Sequence, residues 1–148
     1  MQFFAKNKKA YYDYEILKTY EAGVVLFGFE VKSIKSGKTS LKGARVVVRG
    51  GEAFLIGASI SPYQVANTPK DYDPERARKL LLNKKELNEL IGKEQQKGLT
   101  FPALSWYNKR GLVKLEFAEA RGKKKYDKRE KIKRRDSERD LKRSLKYS

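Results

Sequence analysis

Lysine and arginine are the side chains with the clearest chemistry in this sequence, and they gather towards its end. The 148 residues include 35 Lys and Arg against 18 Asp and Glu, which gives a net charge of +17. From residue 121 onward there are 14 basic and 5 acidic residues, so this last stretch carries +9. Clustered positive charge of this size predicts a polyanionic partner, and nucleic acid is the foremost candidate.

Side chains for covalent, redox or metal chemistry are scarce. The sequence has no cysteine and no histidine, which excludes disulfides, thiolate zinc sites, thiol nucleophiles and the usual general base near neutral pH. The carboxylates are scattered, so a barrel nuclease that uses Asp or Glu with Mg²⁺ is a weak alternative. We therefore expect a protein that is not an enzyme and has no catalytic residue, no cofactor and no metal site.

Apolar runs in the sequence are short. None approaches the roughly 20 residues that a membrane-spanning helix needs. The first residues, Met1–Lys6, lack the long apolar segment of a secretion signal. We expect a cytoplasmic protein that has no membrane partner and is a monomer when free.

Two regions of the chain differ in composition. Residues 1–120 hold nearly all of the apolar side chains and predict a compact body. In residues 121–148 the only aliphatic side chains are Ile132, Leu141 and Leu145, too few to build a core. The sequence thus predicts a body over 1–120 and a basic tail over 121–148 that is disordered when free.

Local patterns predict a mainly β body. Two β-rich runs, 45–49 and 52–57, flank Gly50-Gly51, a pair that suits the tight turn of a hairpin. Further strands are predicted at 12–20, 24–27, 99–107 and 112–119, with a break at 21–23 and a hairpin loop at 108–111. A short helix is predicted over 28–37, and 73–97 predicts one kinked helix or two, with Asp73 and Asn83 as N-caps.

About six strands in short hairpins favour a barrel, because closing a sheet removes its exposed edges. An oligonucleotide-binding-fold barrel, closed or partly open and flanked by helices, is the economical solution. The body also contains most of nine tyrosines and seven phenylalanines. Most of these rings are expected in the core, and a minority to stack on bases.

Short motifs along the chain share their order and spacing with one family. The sequence resembles the SsrA-binding proteins (small protein B) of bacterial trans-translation, and the resemblance covers Asn7 to Arg135. The matching stretches are Asn7–Ala10, Asp13-Tyr14, Glu21–Gly23, Glu30–Ser33, Gly51–Leu55, Ile60–Tyr63, Asp73-Pro74, Arg78–Leu82, Leu99-Thr100, Gly122–Lys124 and Asp127–Arg129.

The resemblance implies an oligonucleotide-binding-fold barrel that binds the tRNA-like domain of transfer-messenger RNA (tmRNA). It also implies delivery of that RNA to stalled ribosomes, with the tail in the empty mRNA channel near the decoding centre of the small subunit. The contacts with the tRNA-like domain that the resemblance implies are Asn7, Glu21, Leu81, Lys114, Gly122, Lys123 and Lys124. Lys8 and Lys9, whose charge suits phosphates, and Arg78 and Lys79 are expected to contact the same RNA. The ribosome contacts in the tail that the resemblance implies are Asp127, Lys128 and Arg129. Their neighbours Tyr126, Lys131, Lys133 and Arg134 are expected to contact the ribosome with them.

Glu21 is unusual among these residues because it is acidic. A carboxylate can accept hydrogen bonds from the amino or imino groups of a guanine or cytosine edge, which would make Glu21 a base reader. The alternative is that Glu21 holds a nearby lysine. Two other functions also stay open for the whole chain: a small ribosomal protein, and an RNA chaperone that binds unstructured RNA without specificity.

Overall fold

The computed structural model describes residues 2–123, and within them β-strands dominate. The strands are β1 (Gln2–Lys6), β2 (Tyr14–Val24), β3 (Thr39–Ser40), β4 (Arg45–Arg49), β5 (Glu52–Ile56), β6 (Ser59–Ile60), β7 (Arg78–Leu81), β8 (Leu99–Thr100), β9 (Ala103–Lys109) and β10 (Leu112–Gly122). The helices are α1 (Lys8–Asp13), α2 (Gly28–Lys35), a short 3-10 turn (Val65–Asn67) and α3 (Lys84–Glu94). The expected mainly β fold with few helices is confirmed.

One antiparallel sheet forms the body, in the order β1-β9-β10-β2-β7-β5-β4, with β8 beside β10 and β3 paired separately with β6. The two ends of this sheet approach each other. Arg45 forms an isolated bridge with Pro102, the Val46 N–H donates to the Phe101 carbonyl at 2.7 Å, and the Ala103 N–H donates to the Ala44 carbonyl at 3.0 Å. Because this contact is not extended into a ladder between the described strands, the sheet is bent but not closed, which corresponds to the partly open form expected.

The core lies inside this bend. Its centre is formed by the long pair β2 and β10, where Tyr20 and Phe117 are buried and their rings stack at 5.2 Å. Trp106 of β9 and Leu55 of β5 are fully buried beside them. The alternation of buried and exposed residues along these strands sends the intervening side chains to the outer face.

The two tight hairpins follow from left-handed turn residues. Gly50 and Gly51 have φ of 59° and 76°, and Arg110 and Gly111 have φ of 52° and 82°, as two-residue turns between twisted strands require. The first hairpin and α2 were predicted with nearly their observed bounds. In the second hairpin the first strand reaches closer to the turn than expected, to Lys109, and the second begins at Leu112 as predicted.

Residues 73–82 were predicted to be helical, and this is wrong. Asp73 accepts a hydrogen bond from the Glu75 N–H and starts a turn, and β7 follows. In β7, Arg78 and Leu80 are buried while Lys79 and Leu81 are exposed, a period of two that a helix cannot give. The second predicted start is correct, since the Asn83 side chain accepts from the Glu86 N–H at 2.8 Å and caps α3.

The predictions at the beginning of the chain and for the number of strands also need correction. The expected break at 21–23 does not exist, because Ala22 pairs with Leu115 and Gly23 with Leu81, so β2 runs on to Val24. Tyr12 lies in α1 instead of a strand. Residues 2–123 contain ten strands instead of about six: β1, β3, β6 and β7 were not predicted, the run 99–107 is divided into β8 and β9, and 25–27 is not a strand. Pairings as short as the two residues of β3 and β6 leave no periodic pattern in a sequence.

A buried ionic cluster joins α2 to β7. Glu30 and Arg78 are both fully buried, and their side chains meet at 2.7 Å. Arg76 also pairs with Glu30, and the Tyr72 hydroxyl donates a hydrogen bond to the Glu30 carboxylate at 2.8 Å. Arg78 further donates to the carbonyls of Ala58 at 2.8 Å and Pro74 at 2.9 Å. Arg78 is therefore a structural residue and is not available to RNA, which corrects its assignment as a contact.

Hydrogen bonding keeps the Glu30 carboxylate ionised in this cluster. Burial by itself would raise the pKa of Glu30, but hydrogen bonds from Arg76, the Phe27 N–H, Arg78 and Tyr72 outweigh burial and leave the pKa below its ordinary value. Burial, and then the hydrogen bond to the Glu30 carboxylate, raise the pKa of Tyr72 to about 12.

Arg78→Met should strongly destabilise the protein, because it leaves Glu30 buried without its fully buried partner. We expect a loss of about 3–5 kcal/mol in the free energy of unfolding, measured by urea denaturation. Lys79→Met is the matched control one position along β7, since the Lys79–Glu52 pair is 46% and 49% exposed. A surface pair contributes about 0–1 kcal/mol. Equal losses for the two variants would contradict a structural role specific to Arg78.

Candidate nucleic-acid interface

The outer face of the sheet brings Glu21, Leu81 and Lys114 together from three strands. Glu21 and Gly23 lie on β2, Leu81 on β7 pairs with Gly23, and Lys114 on β10 lies on the other side of β2. A Cβ atom on Gly23 would lie 3.3 Å from the Leu81 Cβ and 3.5 Å from the Lys114 Nζ. The absence of a side chain at Gly23 therefore lets the leucine and the lysine converge.

This convergence, which we call the leucine–lysine patch, exposes apolar surface beside a cation. Leu81 is 54% exposed and Leu112, at the start of β10, is 61% exposed. Together with Gly23 and Lys114 they line a shallow cavity of about 230 Å³. Leu112 was not predicted, because a leucine after a turn reads as an ordinary strand residue; its exposure depends on how the hairpin turns.

Glu21 has two partners on β9. Its carboxylate accepts a hydrogen bond from the Tyr107 hydroxyl on Oε2 and from the Lys109 ammonium on Oε1 at 2.8 Å. These contacts, with Lys109 first and Tyr107 second, hold the pKa of Glu21 below its ordinary value. The alternative in which Glu21 holds a lysine therefore describes the protein without a partner. The Glu21 side chain is still 39% exposed, so it remains accessible from outside.

Tyr107 lies opposite Lys114 in the register, and so on the outer face of the sheet, but neighbouring side chains leave it only 2% exposed. Burial and then the hydrogen bond to Glu21 raise the pKa of the Tyr107 hydroxyl. Its hydroxyl reaches Glu21 on the same face, and the Phe3 ring of β1 packs against it with ring centroids 6.3 Å apart. No signal in the sequence indicates this role, because Glu21 and Tyr107 are 86 residues apart and lie on strands β2 and β9, which flank β10.

A second group of cations lies at α1. Lys8 and Lys9 are exposed on this helix. Lys9 lines a cleft of about 410 Å³ with Lys42 and Arg45, two cations that the sequence did not single out. None of these three pairs with a carboxylate of the described residues at salt-bridge distance. We call Lys8, Lys9, Lys42 and Arg45 the α1 cluster.

Asn7 builds the α1 cluster instead of offering its amide hydrogens to a ligand. It is 7% exposed, and its Nδ2 donates to the Leu41 carbonyl at 3.0 Å and to the Ala103 carbonyl at 2.9 Å. Both amide hydrogens are thus engaged within the protein. The assignment of Asn7 as a contact is corrected to this extent: it fixes the start of α1 against the sheet.

The end of β10 lies beside the same helix. Gly122 pairs with Tyr14, the Lys123 N–H donates to the Asp13 carbonyl at 3.0 Å, and the Lys123 ammonium donates to the Tyr11 carbonyl at 3.2 Å. Strand β10 thus includes Arg121 and Gly122, which the sequence assigned to the tail. Lys124 and the predicted tail contacts lie outside the described residues: Tyr126, Asp127, Lys128, Arg129, Lys131, Lys133 and Arg134.

Lys79 is exposed beside Leu81 and is held by Glu52 at 3.0 Å. A pair as exposed as this one exchanges partners at little cost. Within residues 2–123 no group of three or more acidic residues could hold a metal ion. In the same part of the chain, no helix combines the length and the apolar character that crossing a membrane takes.

A bent, partly open β sheet with two cationic surfaces and an exposed apolar patch defines a small basic protein suited to bind a polyanion. The family model described as SmpB protein matches residues 4–147 of the chain. The chain therefore belongs to the SmpB family.

Relatives in this family align over nearly the whole chain. The SsrA-binding protein of Trichodesmium erythraeum is 49% identical over 145 residues, which are 98% of this chain and 93% of that protein. The SsrA-binding protein of Thermoanaerobacter pseudethanolicus is 52% identical over 146 residues, with coverage of 99% and 93%. A solved structure described as "tmRNA-SmpB: a journey to the center of the bacterial ribosome" contains a chain with 47% identity, a TM-score of 0.67 and coverage of 82% of this chain and 85% of that chain.

Removing the partners of Glu21 should raise the pKa of its carboxyl group. We expect Lys109→Met to raise it more than Tyr107→Phe, because the lysine contributes the larger lowering. Carbon-detected NMR titration of the glutamate carboxyl groups measures both shifts. Lys79→Met, which removes a lysine of similar exposure elsewhere on the sheet, should leave Glu21 unchanged. An unaltered Glu21 titration in both test variants would show that the contacts do not control the carboxylate.

Proposed function

We propose that this protein binds the tRNA-like domain of tmRNA, the SsrA RNA, and delivers it to stalled ribosomes in the cytoplasm. The observation that carries the proposal is the convergence of Leu81 and Lys114 over Gly23, beside the Glu21 carboxylate. The names of the relatives and the description of the similar solved structure support the choice of RNA.

The leucine–lysine patch offers three kinds of contact to a folded RNA. Leu81 presents an apolar surface to an unstacked base or a ribose, and the Lys114 ammonium suits a phosphate. Glu21 can accept hydrogen bonds from a guanine or cytosine edge, provided that Lys109 releases Oε1. Tyr107, covered by its neighbours on the same face, keeps Oε2 oriented. A released Lys109 becomes free to contact a phosphate.

The α1 cluster supplies a second set of contacts. Lys8, Lys9 and Lys123 are ammonium groups at the surface around α1 and suit closely spaced phosphates. Lys79 on β7 and Lys124, directly after Lys123 in the sequence, are proposed as further phosphate contacts. Gly122 contributes through the backbone at the end of β10.

We assign the tail to the ribosome. The net charge of +9 from residue 121 onward suits a channel lined by ribosomal RNA. The proposed contacts at the decoding centre are Tyr126 and the Asp127-Lys128-Arg129 motif, with Lys131, Lys133 and Arg134 following along the mRNA channel. The body then holds tmRNA while the tail reports that the channel is empty.

A binding titration of the full chain tests this proposal against its alternatives. The tRNA-like domain of tmRNA is titrated in competition with an unstructured RNA of equal length. Strong preference for the folded RNA is expected. Equal binding of both RNAs would favour an unspecific chaperone, and ribosome binding that survives high salt without tmRNA would favour a ribosomal protein.

Leu81→Ala and Lys114→Met should weaken binding of the tRNA-like domain through different forces. Loss of the leucine removes buried apolar contact of about 1–2 kcal/mol, or roughly 5- to 30-fold in Kd, and leaves the salt dependence unchanged. Loss of the lysine reduces the slope of log K against log salt by about 0.7–0.9. Val65→Ala, which shortens an apolar side chain that is 82% exposed in the 3-10 turn, is the control for the leucine. Identical salt slopes for the wild type and Lys114→Met would contradict a phosphate contact.

A chain that ends at Lys123 should separate the two tasks. It retains all of β10 and the hydrogen bond from the Lys123 N–H to Asp13. We expect its affinity for the isolated tRNA-like domain to fall modestly, because some cations are lost, and its activity in tagging nascent chains on stalled ribosomes to disappear. Peptide tagging in a reconstituted translation system measures this. Undiminished tagging would refute the assignment of the tail.

A further inference from the structure

The hairpin of β4 and β5 is apolar on both faces. An antiparallel sheet that faces water on one side ordinarily has polar residues there. On the outer face of this hairpin, however, Val47 lies opposite Phe54, with Ile56 next to them. These three half-buried side chains and Ala77, just before β7, line an open groove of about 530 Å³. Phe54 belongs to the Gly51–Leu55 motif, to which the proposed function gives no role.

Three cations border this apolar groove, together with the Glu52 carboxylate opposite Arg49. Arg45 lies opposite Ile56 at one end of β4, and Arg49 lines the groove at the other end, about 13 Å away along the strand. Lys79 lies opposite Phe54 on β7. Arg45 and Arg49 have no carboxylate partner at salt-bridge distance among residues 2–123, whereas Lys79 is held by Glu52.

The groove also connects the two surfaces already described. On one side, β7 places Lys79 opposite Phe54 and Leu81 in the leucine–lysine patch, on the same outer face. On the other side, Arg45 stands at the start of β4, opposite Ile56, and also lines the cleft that it shares with Lys9 and Lys42. A ligand that spans the two cationic surfaces across β4, β5 and β7 must therefore cross the groove.

We propose that the groove binds an unpaired nucleobase of the RNA, with the Phe54 ring stacked on the base and Arg45 and Arg49 facing its flanking phosphates. Aromatic side chains between cations form the usual platform for single-stranded nucleic acid. The basic tail is a poor occupant, because its net positive charge is repelled by the arginines. This inference rests on the proposed function and gives a role to Phe54 of the Gly51–Leu55 motif.

The groove offers stacking and charge but no hydrogen-bonding side chain on its floor of valine, phenylalanine, isoleucine and alanine. It should therefore accept any of the four bases, since stacking reads the face of a base and not its edge. Sequence preference, where the protein has one, belongs to Glu21 in the leucine–lysine patch and not to this groove.

Two substitutions test the groove in the full chain with the tRNA-like domain of tmRNA as probe. Phe54→Leu preserves an apolar side chain and removes the flat ring, and we expect Kd to rise about 5- to 20-fold. Arg49→Gln should raise Kd and reduce the salt slope by about 0.7–0.9. Lys70→Gln removes the same charge from an exposed position in the 61–77 loop and should change Kd less than about two-fold. Urea unfolding of each variant checks that its fold is retained.

Methyl NMR detects a base in the groove directly, because residues with only a structural role would not cause shifts when RNA is added. If a base stacks on Phe54, its ring current should shift the methyl resonances of Val47 and Ile56 when RNA is added. The shifts should appear with the tRNA-like domain and, at higher concentration, with a ten-nucleotide single-stranded RNA. They should be diminished in Arg49→Gln and unchanged in Lys70→Gln.

The outcomes separate this inference from the proposed function. If Leu81→Ala weakens binding while Phe54→Leu and Arg49→Gln bind like the wild type, the groove proposal is wrong and the proposed function stands. If the wild type shows no preference for the tRNA-like domain but the ten-nucleotide RNA shifts both methyl groups, the proposed function fails and the groove stands. If no RNA shifts these methyl resonances, the groove proposal is wrong, and an apolar protein segment becomes the expected occupant of the groove.

Discussion

The structure depends on a buried carboxylate, Glu30, that ties a helix to a strand. Placing an ion in the protein interior costs several kcal/mol, and here Arg76, Arg78, Tyr72 and the Phe27 N–H together offset that cost through hydrogen bonds. Because Arg78 begins β7, its ion pair fixes which residues of β7 face inward. The alternation along β7 then places Lys79 and Leu81 on the outer face of the sheet, where the RNA-binding surface is proposed.

The outer face shows how one sheet can display several chemistries. Strand β2 lies between β10 and β7, so that an acid from β2, a lysine from β10 and a leucine from β7 meet over a glycine. A side chain on Gly23 would lie within 3.5 Å of both Leu81 and Lys114 and would crowd their convergence. Further along the same face lies the apolar groove, and beyond it Arg45, which belongs to the α1 cluster. An extended folded RNA matches a surface that continues in this way, since such RNA is recognised mainly by its shape and phosphates.

Particular elements show where sequence reasoning succeeded and where it failed. The Gly50-Gly51 hairpin, α2 and the Asn83 cap were predicted correctly because their signals are local: turn residues, helical spacing and a capping side chain. The failures at β7 and at residues 21–23 have one cause. Leu80–Leu82 and Glu21–Gly23 lack a clear period, and their conformation is fixed by the strands that pair with them, which are distant in sequence.

The sequence by itself determined the class of partner and most of the family motifs, because net charge and the order of short motifs do not depend on folding. Only the tertiary structure decided what each motif residue does. It buried Arg78 against Glu30 and engaged the amide hydrogens of Asn7, which removed both from the set of free contacts. It also brought the Tyr107 hydroxyl to Glu21 and placed Lys42 and Arg45 beside Lys9. The physical reason is that burial and partnership are properties of strand register, and register joins residues that the sequence keeps far apart.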